Sequence, residues 1–212
     1  MPDPVVIHAD ESFVVVDKPA GMLSVPGKGP DRVDCAVARV ARMFPSTGPM
    51  IIHRLDMDTS GLLVVAINEH AQRELSRQFE ERLVEKRYIA LVEGQVERPE
   101  GVIDFPMRLD VERRPYQIRD DVHGRNAVTR YRVRAYETDR TRIEFVPVTG
   151  RTHQLRVHAA HPTGLGHPIL GDVLYGSGRG AESPRLMLHA EFLSFLHPTT
   201  GQRLEFTSPP GF

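Results

Sequence analysis

The residues best suited to chemistry lie in one short stretch, residues 53–61, which reads His-Arg-Leu-Asp-Met-Asp-Thr-Ser-Gly. Apolar segments flank it at 51–52 and 62–67, and both have the composition of buried strands. Polar groups between two buried strands are costly unless they are paired or face a cleft. We therefore expect this stretch to line an active-site cleft, with Asp56 or Asp58 as its reactive carboxylate.

Three chemistries fit these residues. Residues 58–61, Asp-Thr-Ser-Gly, have the form of an aspartic-protease loop, which would need a second copy from a dimer so that two carboxylates share a proton. Residues 56–59, Asp-Met-Asp-Thr, approximate the D-x-D-x-T outline of phosphatases with an aspartate nucleophile, with the threonine one position early. That motif should directly end an apolar strand, and residues 53–55 intervene. In the third chemistry, a lone aspartate acts as nucleophile or base on a substrate held by basic residues. A purely structural Asx or ST turn is the remaining interpretation.

A second dense motif covers residues 149–158, Thr-Gly-Arg-Thr-His-Gln-Leu-Arg-Val-His. Thr152 is predicted to cap a short helix on which His153, Arg156 and Val157 share a face. The two histidines are five residues apart, which does not fit the H-E-x-x-H spacing, and no carboxylate lies nearby in sequence. We therefore expect no metal site here.

The composition is that of an ordinary globular chain of 212 residues, 40% hydrophobic and 26% charged. A chain of this length can build one core, so we expect one domain, with at most a small additional lobe. The longest apolar run is too short to span a membrane, and no signal-peptide pattern is present. The only cysteine, Cys35, excludes an internal disulfide. These features predict a cytoplasmic protein with no membrane partner.

Arginine is concentrated in one region of an almost neutral chain. The formal net charge of −1 argues against coating nucleic acid through bulk charge. Residues 125–156, however, contain eight arginines and three acidic residues, a local net charge of +5. Arginine contacts phosphates with two hydrogen bonds and stacks on bases, so this region suits RNA. A general preference for arginine, which supplies 24 of the 27 basic residues, explains it equally well.

Periodicity and turn residues predict an α+β fold in which strands outnumber helices. We expect helices over 32–44, with Asp31 as N-cap, and over 69–83, and a mobile loop over 112–119. Strand 127–136 should place Arg130, Arg132 and Arg134 on its exposed face and pair with 142–148. The other predicted strands are 5–8, 13–16, 86–92, 101–109 (interrupted by Pro106), 185–190, 192–196 and 203–206.

Several motifs in a fixed order resemble the RluA-type pseudouridine synthases. The resemblance rests first on His53-Arg54-Leu55-Asp56-x-x-Thr59-Ser60-Gly61 followed by an apolar strand. It extends over nearly the whole chain through Lys18-Pro19-Ala20-Gly21, Leu23-Ser24-Val25-Pro26-Gly27, Glu85-Lys86-Arg87-Tyr88, Thr149-Gly150-Arg151-x-His153-Gln154-Leu155-Arg156, Gly166-His167-Pro168-Ile169-Leu170-Gly171-Asp172 and His197-Pro198-x-x-Gly201. An extension at residues 161–164 departs from the pattern and leaves the length of that loop open.

The resemblance assigns roles to individual residues. Asp56 matches the family's catalytic aspartate, and Tyr88 matches the tyrosine that stacks on the target base and serves in proton transfer. Arg156 matches the basic residue that pairs with the aspartate. Such a pair would keep the Asp56 carboxylate ionised. Arg54 matches an arginine that fills the place of the flipped nucleotide. Further RNA contacts are expected from His53, Arg151, His153, Gln154, Arg130 and Arg132.

The resemblance also predicts the architecture and the partners. It implies one catalytic domain over residues 1–212 without an N-terminal S4 domain, built on a mixed, largely antiparallel sheet flanked by helices with a central RNA-binding cleft. No metal or organic cofactor and no protein partner are expected, and the chain should be a monomer. The substrate would be 23S rRNA, the tRNA anticodon stem-loop or both, and the alternative is the same isomerisation at another tRNA or rRNA uridine. A phosphatase, a protease and a non-catalytic RNA-binding module remain distant alternatives.

Overall fold

The computed structural model describes residues 2–27, 29, 32–44, 50–178 and 183–212. Its elements are β1 Val5–Ala9, β2 Phe13–Lys18, α1 Ala36–Met43, β3 Met50–Ile51, β4 Ser60–Ala66, α2 Glu69–Glu80, β5 Glu85–Glu93, β6 Glu100–Asp104, β7 Met107–Leu109, β8 Gln117–Arg119, β9 Val128–Glu137, β10 Arg140–Pro147, α3 Gln154–Ala160, β11 Leu188–Leu196 and β12 Arg203–Thr207. The chain forms two compact units, Met1–Lys86 with His189–Gly211 and Arg87–Leu188 with Phe212. Mostly antiparallel strands combined with three helices confirm the α+β prediction.

The sheet of the first unit is built on two strands that are buried along almost their whole length. β2 and β4 pair antiparallel from Phe13 opposite Ala66 to Lys18 opposite Gly61. β1 and β3 add antiparallel neighbours to β2 and β4, β11 pairs with β4 in parallel, and β12 pairs antiparallel with β11. Continuous apolar runs are expected where both faces of a strand are covered, which explains the runs in β2 and β4.

Helix α2 covers this sheet with an apolar face. Leu75 is fully buried and packs in a cluster with Phe13, Leu62 and Phe195. The Asn68 side chain caps the helix by accepting the Ala71 N–H at 2.8 Å. The helix ends at Glu80, three residues before the predicted end. Arg82 takes a left-handed φ of 61°, and the Leu83 N–H returns to the Gln78 carbonyl.

Helix α1 begins at Ala36, four residues later than predicted. Its N-cap is Cys35, whose sulfur accepts the Ala38 N–H at 3.4 Å, and the predicted cap Asp31 lies outside the described residues. The Ala36 and Val37 N–H groups donate to the carbonyls of Leu23 and Ser24. The preceding loop therefore satisfies the first amides of the helix, which the apolar pattern alone does not indicate.

The second unit contains an antiparallel sheet in the order β5–β10–β9–β6. Its core includes Ala90, Val92, Ile143, Phe145 and Leu155, which are all buried. The predicted pairing of strand 127–136 with 142–148 is confirmed by β9 and β10. The predicted strand 101–109 is divided at Pro106 into two strands. β6, residues 100–104, pairs with β9, and β7, residues 107–109, pairs with β8 in a separate hairpin.

The prediction of a mobile loop over residues 112–119 is wrong in its second half. Gln117–Arg119 forms β8, which pairs antiparallel with β7. The turn between them is held by the Asp110 carboxylate, which accepts the backbone N–H groups of Glu112 and Arg113. A buried aspartate that caps its own turn explains why so polar a segment is ordered.

Two further boundaries differ from prediction. Helix α3 begins at Gln154 with His153 as N-cap, so Thr152 is not the cap. Residues 188–196 form a single strand, β11, in place of two strands separated at residue 191. Glu191 interrupts the apolar pattern but is only partly exposed within the continuous strand.

No described helix combines the length and the apolar character that a membrane crossing requires. The expectation of one catalytic domain over residues 1–212 stays a prediction, because compactness does not measure whether the two units unfold together.

Candidate active site

Asp56 lies in the first unit, in the segment between β3 and β4. Its side chain is partly buried, while the preceding Leu55 is buried and Arg54 is exposed. The Asp56 carbonyl accepts the Thr59 N–H at 3.2 Å, which closes a turn directly after the aspartate. This backbone turn covers residues 56–59, and the Asx or ST turn predicted from Asp-Thr-Ser stays a prediction.

The main chain on both sides of Asp56 is anchored to residues 18–24. The Ser24 hydroxyl accepts the Leu55 N–H at 3.0 Å and donates to the Leu55 carbonyl at 2.7 Å. The Met57 carbonyl accepts hydrogen bonds from the Gly21 N–H at 2.9 Å and from Lys18 Nζ at 3.0 Å. These contacts define the Asp56 loop, residues 55–57, as a segment fixed by its backbone.

Lys18, in the Lys-Pro-Ala-Gly motif, holds this loop in place, a role that the sequence alone did not predict. It is fully buried, and its ammonium donates to the carbonyls of Pro19, Met22 and Met57. Burial lowers its pKa to about 8, although the carboxylates of Asp58, Asp56 and Asp17 favour the charged form. The sequence contained one sign of this role: a lysine that ends an apolar strand and is followed directly by proline.

The C-terminal end of the motif is fixed to β11. The Ser60 hydroxyl lies 2.9 Å from His189 Nδ1, and His189 Nε2 lies 2.9 Å from the Ser208 carbonyl. Nε2 must donate to that carbonyl, so the Ser60 hydroxyl donates to Nδ1. Gly61 follows with φ of 112°, and a Cβ at this position would lie 2.4 Å from the Ala190 carbonyl oxygen. The Ser-Gly part of the motif therefore serves to pack β4 closely against β11 within the first unit.

His53 packs against the core of the first unit. Its ring stacks on Phe79 with centroids 4.5 Å apart, and its Nε2 accepts the Val64 N–H at 3.1 Å. Burial, with a smaller effect from Lys86, lowers its pKa to about 3. The ring is therefore neutral at physiological pH, and the predicted RNA contact cannot be an ion pair with phosphate.

Tyr88 lies on β5 in the second unit, opposite Phe145 of β10. Its ring is partly buried and packs against the apolar cluster of that unit. This is the half-buried position expected for a tyrosine on an alternating strand. Its predicted role at the target base stays a prediction.

Arg156 forms a buried ion pair with Asp172, a partner that the sequence did not indicate. Nε and a terminal nitrogen of the guanidinium donate to the two carboxylate oxygens at 2.8 and 2.6 Å. Arg156 is 2% exposed and Asp172 is 3% exposed. The same carboxylate accepts the N–H groups of Leu174 and Tyr175, and the Tyr175 ring lies 5.4 Å from the guanidinium carbon. The predicted pairing of Arg156 with Asp56 stays a prediction.

The side chain of Gln154 is hydrogen-bonded within the protein, and its predicted contact with RNA stays a prediction. Its amide nitrogen donates to the Val128 carbonyl and the Thr129 hydroxyl, and its oxygen accepts from the Thr149 hydroxyl and the Arg151 N–H. All four hydrogen-bonding positions of the amide are used, and the residue is 4% exposed. Gln154 joins the loop before α3 to β9 through these hydrogen bonds.

His153 has a left-handed backbone, with φ of 53°. Its Nδ1 lies 2.8 Å from the Tyr175 hydroxyl, which also accepts the Gln117 N–H at 2.8 Å. The Tyr175 hydroxyl has one proton and two lone pairs, so it can bind both groups at once. The partly buried ring thus connects the start of α3, the β8 strand and the loop after Asp172.

Arg130 and Arg132 lie on β9 and are exposed, as predicted for the basic face of that strand. Arg132 lies 3.4 Å from Glu100 of β6, and Arg134 is hydrogen-bonded to Glu144 of β10. Two of the three arginines on this face therefore have acidic partners, which reduces the positive potential that the sequence suggested.

A polar cleft of about 330 Å³ lies beside the β7–β8 hairpin in the second unit. Arg108, His123, Arg125 and Arg151 contribute to its lining. Asp120 pairs with Arg108, and its pKa is lowered by the His123 N–H and by this arginine. Arg151 donates to the Asn126 carbonyl at 3.1 Å and remains exposed, as does Arg125. The cleft presents cationic groups of the kind that bind phosphates.

Within the described ranges, no three or more His, Cys, Asp and Glu side chains are grouped so that they could hold a metal ion.

The chain is similar to known proteins over most of its length. A family described as RNA pseudouridylate synthase matches residues 12–161. The dual-specificity RNA pseudouridine synthase RluA of Pasteurella multocida is 47% identical over 209 residues, which cover 98% of this chain and 93% of the relative. RluA of Escherichia coli K12 is 44% identical over 210 residues, which cover 98% and 94%.

A solved structure shows the same fold. Human RNA pseudouridylate synthase domain containing 1 superimposes with a TM-score of 0.82 at 31% identity, covering 99% of this chain and 84% of the human chain. The family match and the identities leave neither the phosphatase nor the protease interpretation standing. The chain belongs to the RNA pseudouridylate synthase family, and it is an isomerase that converts uridine in RNA to pseudouridine.

Proposed function

We propose that this enzyme modifies uridines in both 23S rRNA and the tRNA anticodon stem-loop, with Asp56 as its catalytic residue. The observation that carries the assignment of Asp56 is the anchored Asp56 loop. Four hydrogen bonds fix the backbone of residues 55 and 57, while the carboxylate between them stays partly exposed. Relatives 47% and 44% identical, both named dual-specificity enzymes, support the pair of substrates.

The reaction needs a carboxylate but no external oxidant or reductant. The N1–C1′ bond of uridine breaks, the uracil rotates, and a C5–C1′ bond forms. C5 then loses its proton and N1 gains one, so atoms and electrons balance. The ionised Asp56 acts either as nucleophile or as base, and the target nucleotide must leave the base stack to reach it.

Other residues contribute to RNA binding in this proposal. Arg54, exposed and two residues before Asp56, occupies the space left by the flipped nucleotide. Arg151 and Arg125 bind backbone phosphates at the polar cleft of the second unit. The stacking of Tyr88 on the target base and the pairing of Arg156 with Asp56 belong to the same proposal.

The proposal includes a cytoplasmic monomer without a protein partner. The one cysteine, Cys35, is buried and cannot form an internal disulfide, which fits a reducing compartment. Light scattering of the purified protein, with and without tRNA, measures the oligomeric state directly.

Pseudouridine mapping on tRNA and 23S rRNA tests the function. Wild type is compared with Asp56→Asn, and Asp58→Asn is the matched control because it removes the same charge two residues away. We expect product at discrete uridines with wild type and with Asp58→Asn, and none with Asp56→Asn. RNA retained by Asp56→Asn in a filter-binding assay shows that only the chemistry was lost.

Two results would contradict the proposal. Product from Asp56→Asn would remove Asp56 from the reaction. Product confined to one of the two RNAs, or to uridines outside both targets, would replace the dual specificity with a different target.

A further inference from the structure

The Ser24 hydroxyl makes two hydrogen bonds to one residue, and that residue directly precedes Asp56. It accepts the Leu55 N–H at 3.0 Å and donates to the Leu55 carbonyl at 2.7 Å. A neighbouring strand normally supplies both bonds through its main chain. Here one side chain supplies them, at a position where the strand pairing of β3 has already ended.

Ser24 is itself held in a fixed position. It is 3% exposed, and its carbonyl accepts the Val37 N–H in the first turn of α1 at 3.2 Å. The neighbouring Leu23 carbonyl accepts the Ala36 N–H at 2.8 Å. Ser24 therefore links α1 to the Asp56 loop, because its carbonyl is bound to α1 and its hydroxyl is bound to Leu55.

The other anchor of the loop acts at Met57, through the Gly21 N–H and Lys18 Nζ. Without the Ser24 hydroxyl, the Leu55 N–H and carbonyl would lose this partner inside a site where Leu55 is 5% exposed. Groups of this kind do not stay unpaired when the backbone can move. The backbone of residue 55 would rotate toward other partners, and the Cα of Asp56 would move with it.

We propose that Ser24 is a positioning residue that holds the Asp56 carboxylate in its reactive place. Ser24 is buried and its hydroxyl is bound to Leu55, so in this proposal it acts through Leu55. The inference rests on the proposed catalytic role of Asp56. The inference gives a structural role to residues 23–27, Leu-Ser-Val-Pro-Gly, one of the motifs that carry the family resemblance.

The test measures single-turnover rates and KM for Ser24→Ala and Ser24→Thr on the RNA that wild type modifies. Misplacing a reacting group by about 1 Å costs on the order of 100-fold in rate. We expect Ser24→Ala to lower the rate by roughly 10- to 100-fold with KM unchanged. Ser24→Thr keeps a hydroxyl on the same carbon and should recover most of the rate.

Ser194→Ala is the matched control. Ser194 is also fully buried in the first unit, and its hydroxyl accepts a hydrogen bond from Arg203 on β12. This variant should lose stability without a change in rate. If Ser24→Ala does not fold, Ser24→Cys replaces it, because a thiol has nearly the same size and forms only weak hydrogen bonds. Circular dichroism at the assay temperature identifies the variants that are folded.

Three results overturn the inference: a folded Ser24→Ala or Ser24→Cys with the wild-type rate, a rise confined to KM, or a Ser24→Thr rate as low as that of Ser24→Ala. The last would show that the rate follows packing and not the hydroxyl. Failure of the proposed function looks different, because Asp56→Asn would then form product whatever the Ser24 variants do.

Discussion

The Asp56 loop in the first unit and the Arg156 site in the second unit hold their key side chains in opposite ways. At Asp56 the described anchors are hydrogen bonds to the main chain of neighbouring residues, and the carboxylate is partly exposed. At Arg156 the guanidinium itself is bound by the Asp172 carboxylate and is 2% exposed.

The difference follows from what each group does in the proposed reaction. A carboxylate that attacks the substrate or removes a proton must keep its oxygens available, so the protein fixes the backbone around it. A guanidinium never loses its proton at physiological pH and can be bound on two of its nitrogens while it supplies positive charge. A buried guanidinium, however, requires a buried countercharge, and that requirement makes the second site sensitive to a single substitution.

The largest effect is expected from Asp172→Asn. The asparagine oxygen can still accept the Leu174 and Tyr175 N–H groups, but an NH2 group replaces the oxygen that accepts from Arg156 Nε. The substitution therefore removes the charge that balances Arg156 together with one of its hydrogen bonds. Loss of one partner of a buried ion pair should lower the free energy of unfolding by about 3–5 kcal/mol. Urea titration followed by circular dichroism measures the change.

Glu100→Gln is the matched control, because Glu100 pairs with Arg132 on the surface of the same unit. The pair is exposed on both sides, so its loss should change the free energy of unfolding by less than about 1 kcal/mol. Equal effects of the two substitutions would mean that other groups balance the charge of Arg156 when the Asp172 carboxylate is removed.

A smaller effect is expected from the titration of Lys18 in the first unit. Its pKa is about 8 in the folded protein and near the ordinary value of 10.5 after unfolding. Between these values the unfolded state binds more protons, so the free energy of unfolding should rise with pH, by up to about 3 kcal/mol in total. Below pH 8 both states are protonated, and this contribution does not change with pH.

Lys18→Met should lack this rise, and the comparison of the two unfolding curves between pH 8 and 10.5 cancels the titration of all other groups. The same slope in both proteins would show that the Lys18 ammonium is not destabilised by its burial. The variant should also be less stable at pH 7, since three carbonyls lose a donor.

The smallest effect is expected from Arg125→Gln at the polar cleft of the second unit. Removing one phosphate contact should raise KM about 5-fold without changing kcat, and should reduce the salt dependence of RNA binding by roughly 0.7–0.9 in logarithmic slope. Arg73→Gln, an exposed arginine on α2 of the first unit, should change neither quantity. An unchanged slope for Arg125→Gln would place the RNA backbone elsewhere.

Sequence alone predicted the elements whose signal is local. The apolar runs of β2 and β4, the alternation of β9 and the amphipathic face of α2 are all present in the structure. Where tertiary contacts decide, prediction failed. Helix α1 starts late because the Leu23 and Ser24 carbonyls take its first amides, and residues 117–119 form a strand because Asp110 holds their turn.

The motifs identified Asp56, but they did not identify the buried residues that anchor the Asp56 loop or the residue that binds Arg156. Lys18, Ser24 and Asp172 are all buried polar residues, and their importance depends on partners 16 to 39 positions away in sequence. Gln154 lies in a motif rich in RNA-binding residue types, and the sequence did not indicate that its amide is fully hydrogen-bonded inside the protein.

The close approach of Gly61 to β11 separates two kinds of information in the signature of residues 53–61. A Cβ at residue 61 would overlap the Ala190 backbone, so natural selection preserves this glycine in any descendant that keeps the strand pairing, active or not. The aspartate is under no such architectural constraint. A paralogue that retains Thr-Ser-Gly and has lost the aspartate would therefore keep this architecture as a pseudoenzyme, and genome surveys should score the two halves of the signature separately.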